Sequence, residues 1–271
     1  MYKTTYHRCQ TLEQALGLYT ELSEPSYISG GFTLIPTMKN RLAAPENLID
    51  VRAIPQLQGI THEAGRLSIG AATCHADVAG SEKVIATIPA LAKLAGSIGD
   101  MQVRHMGTIG GSVANNDPAA DYPAAVLGLG AIVVTDRREI AADDYFTGMY
   151  TTDLEDGEIV VRIVFPAPLS AGYAKFRNPA SRYAMAASFV SRDPDGSVRV
   201  AVTGASEDGV FRWRQAEEAL GQNFEADAIK GISLSPVRMM GDLHGSAEYR
   251  AHLVRVMTAR AVAAQGGADI T

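Results

Sequence analysis

The chain has few cysteines and no long apolar run. Its 271 residues include only two cysteines, Cys9 and Cys74, which are far apart and form no CxxC pair. An iron–sulfur cluster needs about four thiolates, so the chain cannot ligate one by itself. No stretch approaches the ~18 apolar residues of a spanning helix, and the first residues, MYKTTYHRCQ, lack the apolar region of an export signal. We therefore expect neither export nor anchoring, and a cytoplasmic protein.

The sequence also lacks a concentration of positive charge and a metal-binding motif. The formal net charge is −6, and the lysines and arginines are scattered. This gives no electrostatic footprint for nucleic acid or an anionic membrane. The six histidines include no HExxH and no close pair with a carboxylate as third ligand, so we expect no bound metal. At 46% hydrophobic residues, the chain can form one large domain or two modest ones.

Glycine is concentrated in two segments that indicate a phosphate-binding site. In RHMGTIGGSVANNDPAADYP (104–123), Gly107, Gly110 and Gly111 can take positive φ and carry no Cβ, so their N–H groups can converge on a ligand oxygen. The upstream segment SGGFTLIP (29–36) follows a predicted strand, a position where ligand sites are common. Two such turns suggest two phosphates, or one phosphate and a polar ring, and a dinucleotide fits. We expect valine at Gly110 to abolish ligand binding and leave the remaining fold intact.

The common nucleotide motifs are absent from the sequence. Gly128-Leu-Gly130 resembles the start of a Rossmann fingerprint, but Val133 occupies the third glycine position. In addition, this segment follows a predicted helix and precedes a strand, whereas the fingerprint follows a strand and precedes a helix. No GxxxxGK[ST] occurs, which excludes a P-loop. A phosphate cradle must therefore come from an architecture with two separated loops.

Periodicity and turn residues predict the elements. Thr11 can cap a first helix, with Gln14 completing a capping box. The double proline Pro166-Ala-Pro168 predicts a domain boundary, followed by a strand meander. Ser246 can cap a final helix with Tyr249, Leu253, Val256 and Met257 facing inward. The remaining predictions are strands at 27–29, 47–51, 57–63, 66–70, 131–135, 159–165, 172–176, 187–191 and 197–204, and helices at 84–98, 123–129, 214–220 and 247–265.

Several segments together resemble one known family. SGGFTLIPTMKNRLAAPENLIDV (29–51) and VRHMGTIGGSVANNDPAADYPA (103–124) resemble the two FAD loops of the medium, flavin-carrying subunit of molybdenum hydroxylases, the carbon monoxide dehydrogenase and xanthine dehydrogenase group. KFRNPASRYAMAA (175–187) resembles the start of that family's C-terminal domain, and GSAEYRAHLVRVMTARAV (245–262) its final helix. The resemblance covers nearly the whole chain in the right order.

The resemblance implies a fold and a cofactor. It implies an α/β and α+β chain: a two-lobed FAD-binding domain of the PCMH (vanillyl-alcohol-oxidase-like) type over residues 1–168, with lobes at about 1–54 and 55–168. A smaller α+β domain over 169–271 follows. FAD is bound noncovalently in this family. Molybdopterin cofactor and [2Fe-2S] clusters are expected only on partner subunits.

Motif matching assigns the FAD contacts residue by residue. Both glycine loops are expected to donate N–H bonds to the pyrophosphate, Asp121 to accept bonds from ribityl or ribose hydroxyls, and Lys175 and Tyr183 to reach the flavin. The loop residues so assigned are Ser29, Gly30, Gly31, Phe32 and Thr33 in the first loop, and Thr108, Ile109, Gly110, Gly111 and Ser112 in the second.

Three residues depart from the family pattern, and some assignments have structural alternatives. Phe32 stands where histidine is frequent, Thr33 where serine is frequent, and Arg182 where an aspartate usually precedes the tyrosine. Gly30-Gly31 could form a hairpin turn without a ligand, and Tyr183 could be a core aromatic. Asp117 is expected only to cap the turn at Pro118.

The resemblance implies an oxidoreductase subunit that transfers electrons. It takes them from a small iron–sulfur subunit, fed by a large molybdopterin subunit, and passes them to an external acceptor such as NAD, a quinone or oxygen. Each subunit is expected twice, as a heterohexamer (αβγ)2. No catalytic residue for the organic reaction is assigned to this chain. A self-contained FAD-dependent oxidoreductase and a non-catalytic assembly subunit remain the alternatives.

Overall fold

A computed structural model describes residues 1–265. Residues 266–271, which belong to the predicted C-terminal domain, lie outside the described residues. The α-helices are α1 (Leu12–Glu21), α2 (Leu34–Lys39), α3 (His75–Gly80), α4 (Glu82–Thr87), α5 (Pro89–Gly96), α6 (Met101–Met106), α7 (Ile109–Asn115), α8 (Tyr122–Gly128), α9 (Ala142–Tyr145), α10 (Arg214–Gln222) and α11 (Ala247–Ala263). The strands are β1 (Thr5–Arg8), β2 (Pro25–Ile28), β3 (Asn47–Asp50), β4 (Ile60–Glu63), β5 (Arg66–Gly70), β6 (Ile132–Thr135), β7 (Glu139–Ala141), β8 (Phe146–Gly148), β9 (Thr151–Thr152), β10 (Val160–Pro166), β11 (Ser170–Arg177), β12 (Ala184–Arg192), β13 (Val198–Thr203) and β14 (Phe211–Arg212).

The first lobe is a small parallel sheet with one covering helix. Its strand order is β1-β3-β2, and both pairings are parallel. Helix α1 begins where Thr11 caps it, because the Thr11 hydroxyl accepts the Gln14 N–H. The Gln14 side chain accepts the Gln10 N–H instead of the Thr11 N–H, so the predicted capping box is shifted by one residue. Strand β2 ends at Ile28 and delivers the chain directly into the first glycine loop.

The second lobe is a five-stranded antiparallel sheet covered by short helices. The strand order is β4-β5-β10-β6-β7, and the predicted hairpin of β4 and β5 turns at Ala64 and Gly65, which both have positive φ. The single helix predicted over 84–98 is wrong. Pro89 lacks an N–H and starts a new helix, so α4 ends at Thr87 and α5 begins at Pro89.

The C-terminal part is the predicted meander, a four-stranded antiparallel sheet in the order β11-β12-β13-β14. Helix α11 packs on β11 and β12 so closely that a Cβ at Gly172 would lie 2.0 Å from the Ala261 carbonyl oxygen. Ser246 caps α11 as predicted, since its hydroxyl accepts the Tyr249 N–H. Leu253 and Met257 face inward, but Tyr249 is 41% exposed, so its predicted inward position is wrong. No helix within residues 1–265 is long and apolar enough to cross a membrane.

One hydrophobic core extends across the predicted boundary at residue 168. Ala125 of α8 and Phe165 of β10 belong to the same buried cluster as Tyr173, Phe189 and Ala201 of the C-terminal sheet. The predicted boundary lies in the short connection between β10 and β11, and this cluster crosses it. A second buried cluster, which includes Val190, Val200 and Trp213, lies wholly on its C-terminal side. The division into domains 1–168 and 169–271, and into lobes at 1–54 and 55–168, stays a prediction.

Candidate cofactor cleft

A cleft of about 1050 Å³ opens between the two lobes and the start of the C-terminal sheet. Such a volume lies just above the range of about 300–1,000 Å³ that small-molecule sites occupy. Ile109 is fully buried in the core and does not line the cleft. The predicted residues that do line it are Ser29, Gly30, Gly31, Phe32, Thr33, Thr108, Gly110, Gly111, Ser112, Asp121, Lys175 and Tyr183.

The first glycine loop presents unpaired backbone donors to the cleft. Gly31 has φ of 73°, a conformation that glycine adopts without strain, and α2 begins three residues later. Within residues 1–265, no hydrogen bond takes up the N–H groups of residues 30–34. Consecutive free N–H groups in a glycine turn that leads into a helix form a concave site for an anion. This loop therefore has the donors that a pyrophosphate requires.

The second glycine segment has a different structure from the one predicted. It forms the first turn of α7, capped by the Thr108 hydroxyl, and none of Gly107, Gly110 and Gly111 has positive φ. The Ile109 N–H donates to the Thr73 carbonyl at 3.1 Å, and the Gly110 N–H donates to the Ala71 carbonyl at 2.9 Å. Thr108 accepts the next two N–H groups, those of Gly111 and Ser112. The expectation that the N–H groups of residues 109–112 point to a ligand is therefore wrong for this structure, because the turn after β5 and the helix cap already use them.

Glycine is required in the second segment for close packing rather than for φ. A Cβ at Gly110 would lie 2.4 Å from the Ala71 Cβ, and one at Gly107 would lie 2.6 Å from the His75 Nε2. The same requirement joins the two loops, since a Cβ at Gly30 would lie 2.3 Å from the Met106 carbonyl oxygen. Residues 29–33 and 107–112 therefore form one continuous wall of the cleft.

Asp121 and Lys175 form a buried ion pair between α8 and the C-terminal sheet. The Lys175 Nζ donates to the Asp121 Oδ2 at 2.8 Å, and the two side chains are 4% and 5% exposed. The Tyr173 hydroxyl donates to the other carboxylate oxygen. Burial, followed by the Asp121 charge, raises the pKa of Tyr173 well above its ordinary value, so the phenol remains a donor. Both residues line the cleft, and they also fix the C-terminal sheet to α8. Their predicted contacts with FAD stay a prediction.

A tight turn at the mouth of the cleft presents Tyr183. The buried Asn178 holds this turn, because its side-chain oxygen accepts the N–H groups of Ala180 and Ser181 and its carbonyl accepts that of Arg182. Tyr183 is 48% exposed, so the alternative of a core aromatic is wrong. Burial of its ring, then Asp117 and Asp121, raise the pKa of Tyr183.

Asp117 has the structural role expected for it. Its Oδ1 accepts the Ala119 N–H at 2.8 Å, which closes a turn around Pro118. The Pro118 carbonyl in turn accepts the Gly204 N–H and the Thr203 hydroxyl. The segment that follows α7 is therefore anchored to the C-terminal sheet as well as to its own turn.

Two further parts of the lining were not identified from the sequence. His75, the first residue of α3, lies behind the second glycine segment, and burial, with a smaller effect of Arg104, lowers its pKa to about 4. Its Nδ1 is buried without a hydrogen-bond partner in residues 1–265. The opposite wall comes from residues 152–160, where Glu158 accepts bonds from Arg138, Thr135 and the Glu155 N–H. Burial opposes its ionisation, but these bonds lower the pKa of Glu158 to about 2.

Residues 1–265 contain no group of three histidine, cysteine, aspartate or glutamate side chains arranged to hold a metal ion. Cys9 is fully buried, and this burial, followed by the Asp50 charge, raises the pKa of its thiol. Cys74 lies beside the second segment, where its Sγ contacts the Arg52 guanidinium at 3.4 Å and the His105 carbonyl oxygen at 3.3 Å.

The chain that forms this cleft is similar to known proteins of one family. Residues 2–168 match the family described as FAD binding domain in molybdopterin dehydrogenase. The chain is 34% identical to the carbon monoxide dehydrogenase medium chain of Hydrogenophaga pseudoflava, with 95% of each chain covered. It is 31% identical to the glyceraldehyde dehydrogenase medium chain of Sulfolobus acidocaldarius, covering 95% of this chain and 96% of the relative. A structure of reconstituted CO dehydrogenase from Oligotropha carboxidovorans superposes with a TM-score of 0.89 at 34% identity, covering 97% and 98% of the two chains.

Proposed function

This chain belongs to the family of FAD-binding subunits of molybdopterin dehydrogenases, and we propose that it is the electron-transfer subunit of such a complex. It takes electrons from an iron–sulfur subunit and passes them to an external acceptor. The observation that carries the proposal is the cleft itself, whose lining includes both a glycine loop with N–H groups unpaired within residues 1–265 and a half-exposed tyrosine.

The residues of the cleft fit FAD. The free N–H groups of residues 30–34 would hold the pyrophosphate, and the wall formed by residues 107–112 would support it. Tyr183 would lie against the flavin, and Lys175 and Asp121 would line its approach. When bound, FAD supplies a carrier that accepts two electrons and releases them one or two at a time. No residue of the cleft is assigned a covalent bond to it.

The cysteine content supports a partner as the source of electrons. The two cysteines of the sequence are both buried, and about four thiolates are needed for a cluster. Electrons must therefore enter from a second protein that docks on this chain. A small subunit with iron–sulfur clusters and a large subunit with molybdopterin meet this requirement.

We further propose that the complex contains each subunit twice. Closed two-fold symmetry is the commonest arrangement of soluble oligomers, so three subunit types would give a heterohexamer. Its mass by sedimentation equilibrium tests this arrangement: a value for one copy of each subunit would contradict it.

Reconstitution tests the electron-transfer function. The FAD-loaded chain is mixed anaerobically with candidate substrates, alone and together with its small and large partners, and the flavin absorbance is followed. The expected result is no bleaching by N-heterocycles, aldehydes or carbon monoxide for the isolated chain, and substrate-dependent bleaching with both partners present. Bleaching of the isolated chain at a rate that partners do not change would replace this proposal with a self-contained oxidoreductase. Absence of flavin from the complex would favour an assembly subunit.

A further inference from the structure

Arg182 is an unpaired cation at the mouth of the cleft. It lines the cleft and is exposed, and within residues 1–265 its guanidinium takes part in no hydrogen bond or ion pair. The other lining cation, Lys175, is neutralised by Asp121. Arg182 therefore keeps its full charge available to a molecule that enters from solvent.

The backbone that carries Arg182 is rigid and strained. Arg182 has φ of 63°, a left-handed conformation that is strained for a residue with a Cβ. The turn is closed at both ends, because the Arg182 N–H donates to the Asn178 carbonyl at 2.9 Å and the Asn178 N–H donates to the Tyr183 carbonyl at 2.8 Å. These bonds fix the backbone of the turn, which places Arg182 and the exposed Tyr183 next to each other at the rim.

The rest of the cleft would repel an anion. Of the residues in 1–265, six carboxylates line it, and three of these pair there with arginine or lysine: Asp121 with Lys175, Glu155 with Arg137, and Glu158 with Arg138. Asp100 and Asp117 accept backbone N–H groups in a helix cap and a turn, and Asp117 also accepts the Tyr150 hydroxyl. Asp156 accepts the Tyr19 hydroxyl. Apart from the first glycine loop, whose N–H groups are assigned to the pyrophosphate, the lining therefore offers a negatively charged molecule one attractive position, at the rim beside Tyr183.

We propose that Arg182 and the Tyr183 ring form a subsite for an anionic electron acceptor, one that carries phosphate or carboxylate groups. The inference rests on the proposed function, because it names the class of molecule that leaves with the electrons. An aromatic acceptor with an acidic group would place its ring against Tyr183 and its charge against the guanidinium. Oxygen and an uncharged quinone lack the group that Arg182 would bind.

The first test measures electrostatic potential at the bound flavin. The complete complex is prepared with the wild-type chain, Arg182→Gln and Arg182→Lys, and flavin fluorescence is quenched by iodide and by neutral acrylamide at constant ionic strength. Coulomb's law for charges about 6 Å apart in water predicts that Arg182→Gln lowers the iodide quenching constant about two- to threefold. Acrylamide quenching should stay unchanged, and Arg182→Lys should retain most of the iodide effect.

Arg41→Gln is a matched control. Arg41 has φ of 60°, close to that of Arg182, and it lies after α2 outside the lining of the cleft, with its guanidinium over the Tyr2 ring. Its replacement should leave both quenching constants unchanged. An equal loss of iodide quenching in Arg41→Gln and Arg182→Gln would overturn the proposal, and so would no loss in either.

A second test uses oxidants of opposite charge. The complex is reduced with dithionite and then mixed with ferricyanide or with ferrocenium. Each reduced flavin releases two electrons and two protons, and the electrons reduce two molecules of the one-electron oxidant. Arg182→Gln should slow oxidation by ferricyanide severalfold and not slow oxidation by ferrocenium. Oxidation rates of Arg182→Gln that equal those of the wild type with both oxidants would contradict the subsite.

Two other outcomes separate the inference from its premise. If Arg182→Gln weakens FAD binding about tenfold, Arg182 binds the cofactor, and the acceptor subsite is wrong while the electron-transfer function stands. If partners and substrate never reduce the flavin, the proposed function fails independently of the quenching result, and the acceptor assignment fails with it.

Discussion

Gly110 and Gly111 are neighbours in α7, but a side chain at each would meet different surroundings. A Cβ at Gly110 would lie 2.4 Å from the Ala71 Cβ and 2.7 Å from its carbonyl oxygen, whereas the nearest atom to a Cβ at Gly111 is the Thr108 hydroxyl at 3.0 Å. The expectation that valine at Gly110 leaves the fold intact is therefore not supported by the packing. The backbone of Ala71 cannot move without disturbing β5, while a hydroxyl can rotate.

This difference predicts a contrast in stability. Gly110→Ala should lower the free energy of unfolding by about 1–3 kcal/mol through overpacking. Gly111→Ala should change it by less than about 1 kcal/mol, since better helix propensity offsets the tight contact. Urea unfolding of the FAD-free variants measures both values without interference from the cofactor. Equal destabilisation of the two variants would contradict the packing described for α7.

His75 predicts a loss of stability in mild acid. Its pKa is about 4 in the folded chain, first because of burial and then because of Arg104, and about 6.5 when unfolded. The unfolded state therefore binds more protons between these values, so stability falls as the pH falls from about 6.5 towards 4. Linkage gives a loss of about 2 kcal/mol at pH 5 relative to pH 7.5.

The variant His75→Gln isolates this effect because glutamine does not titrate. Its free energy of unfolding should fall by about 2 kcal/mol less than that of the wild type between pH 7.5 and pH 5. Glu158 remains ionised over this range, because its folded pKa is about 2. The same pH dependence in both proteins would show that His75 is not held neutral by burial.

At the scale of elements, local signals predicted some segments well. Thr11 and Ser246 mark helix starts by side-chain caps, and Ala64-Gly65 marks a hairpin by positive φ; each signal acts within a few residues. The break at Pro89 was also readable from the sequence, because proline cannot continue a helix. The helical form of 109–115 was not, since it depends on Ala71 and Thr73, about 40 residues away, accepting its first N–H groups.

The cleft was predictable to a similar degree. Both glycine segments and Tyr183 line it, as their resemblance to the family implied. The wall at 152–160 and His75 were missed because neither has a local motif, and only the pairing of β5, β6 and β10 brings them to the cleft. Ile109 lies next to lining residues in sequence, but the helical turn directs its side chain into the core.

The ion pair between α8 and β11 predicts strong coupling between these elements. Lys175→Met leaves the Asp121 carboxylate buried with only the Tyr173 hydroxyl, and should cost about 3–5 kcal/mol of stability. Adding Asp121→Asn should restore part of this loss. A double-mutant cycle in the FAD-free chain measures the coupling energy.

The pair Lys230 and Asp227 offers a matched surface control. Their distance is 2.7 Å, similar to that of the buried pair, but each side chain is 74% exposed. A double-mutant cycle for this surface pair should give a coupling energy of about 0.2–1 kcal/mol. Equal coupling for the two pairs would mean that Lys175 and Asp121 contribute no more than a solvated contact.

At the scale of the whole molecule, the shared core predicts that the chain cannot be divided at residue 168. A fragment of residues 1–168 would expose Ala125 and Phe165, which pack in one cluster with Tyr173 and Phe189. We expect such a fragment to unfold without a sharp thermal transition and to bind the dye ANS, as loosely packed states do. A cooperative transition with native near-ultraviolet circular dichroism would instead show that residues 1–168 fold as an independent domain.

The central claim is that one FAD lies noncovalently in the cleft between the lobes, and cofactor release tests it most directly. The protein is isolated with its partners, denatured by heat or acid, and the released flavin is identified and counted by chromatography against the concentration of this chain. Intact FAD is expected in the supernatant at about one molecule per chain. Recovery of FMN, retention of flavin on the precipitated chain, or a flavin-free complex would contradict it.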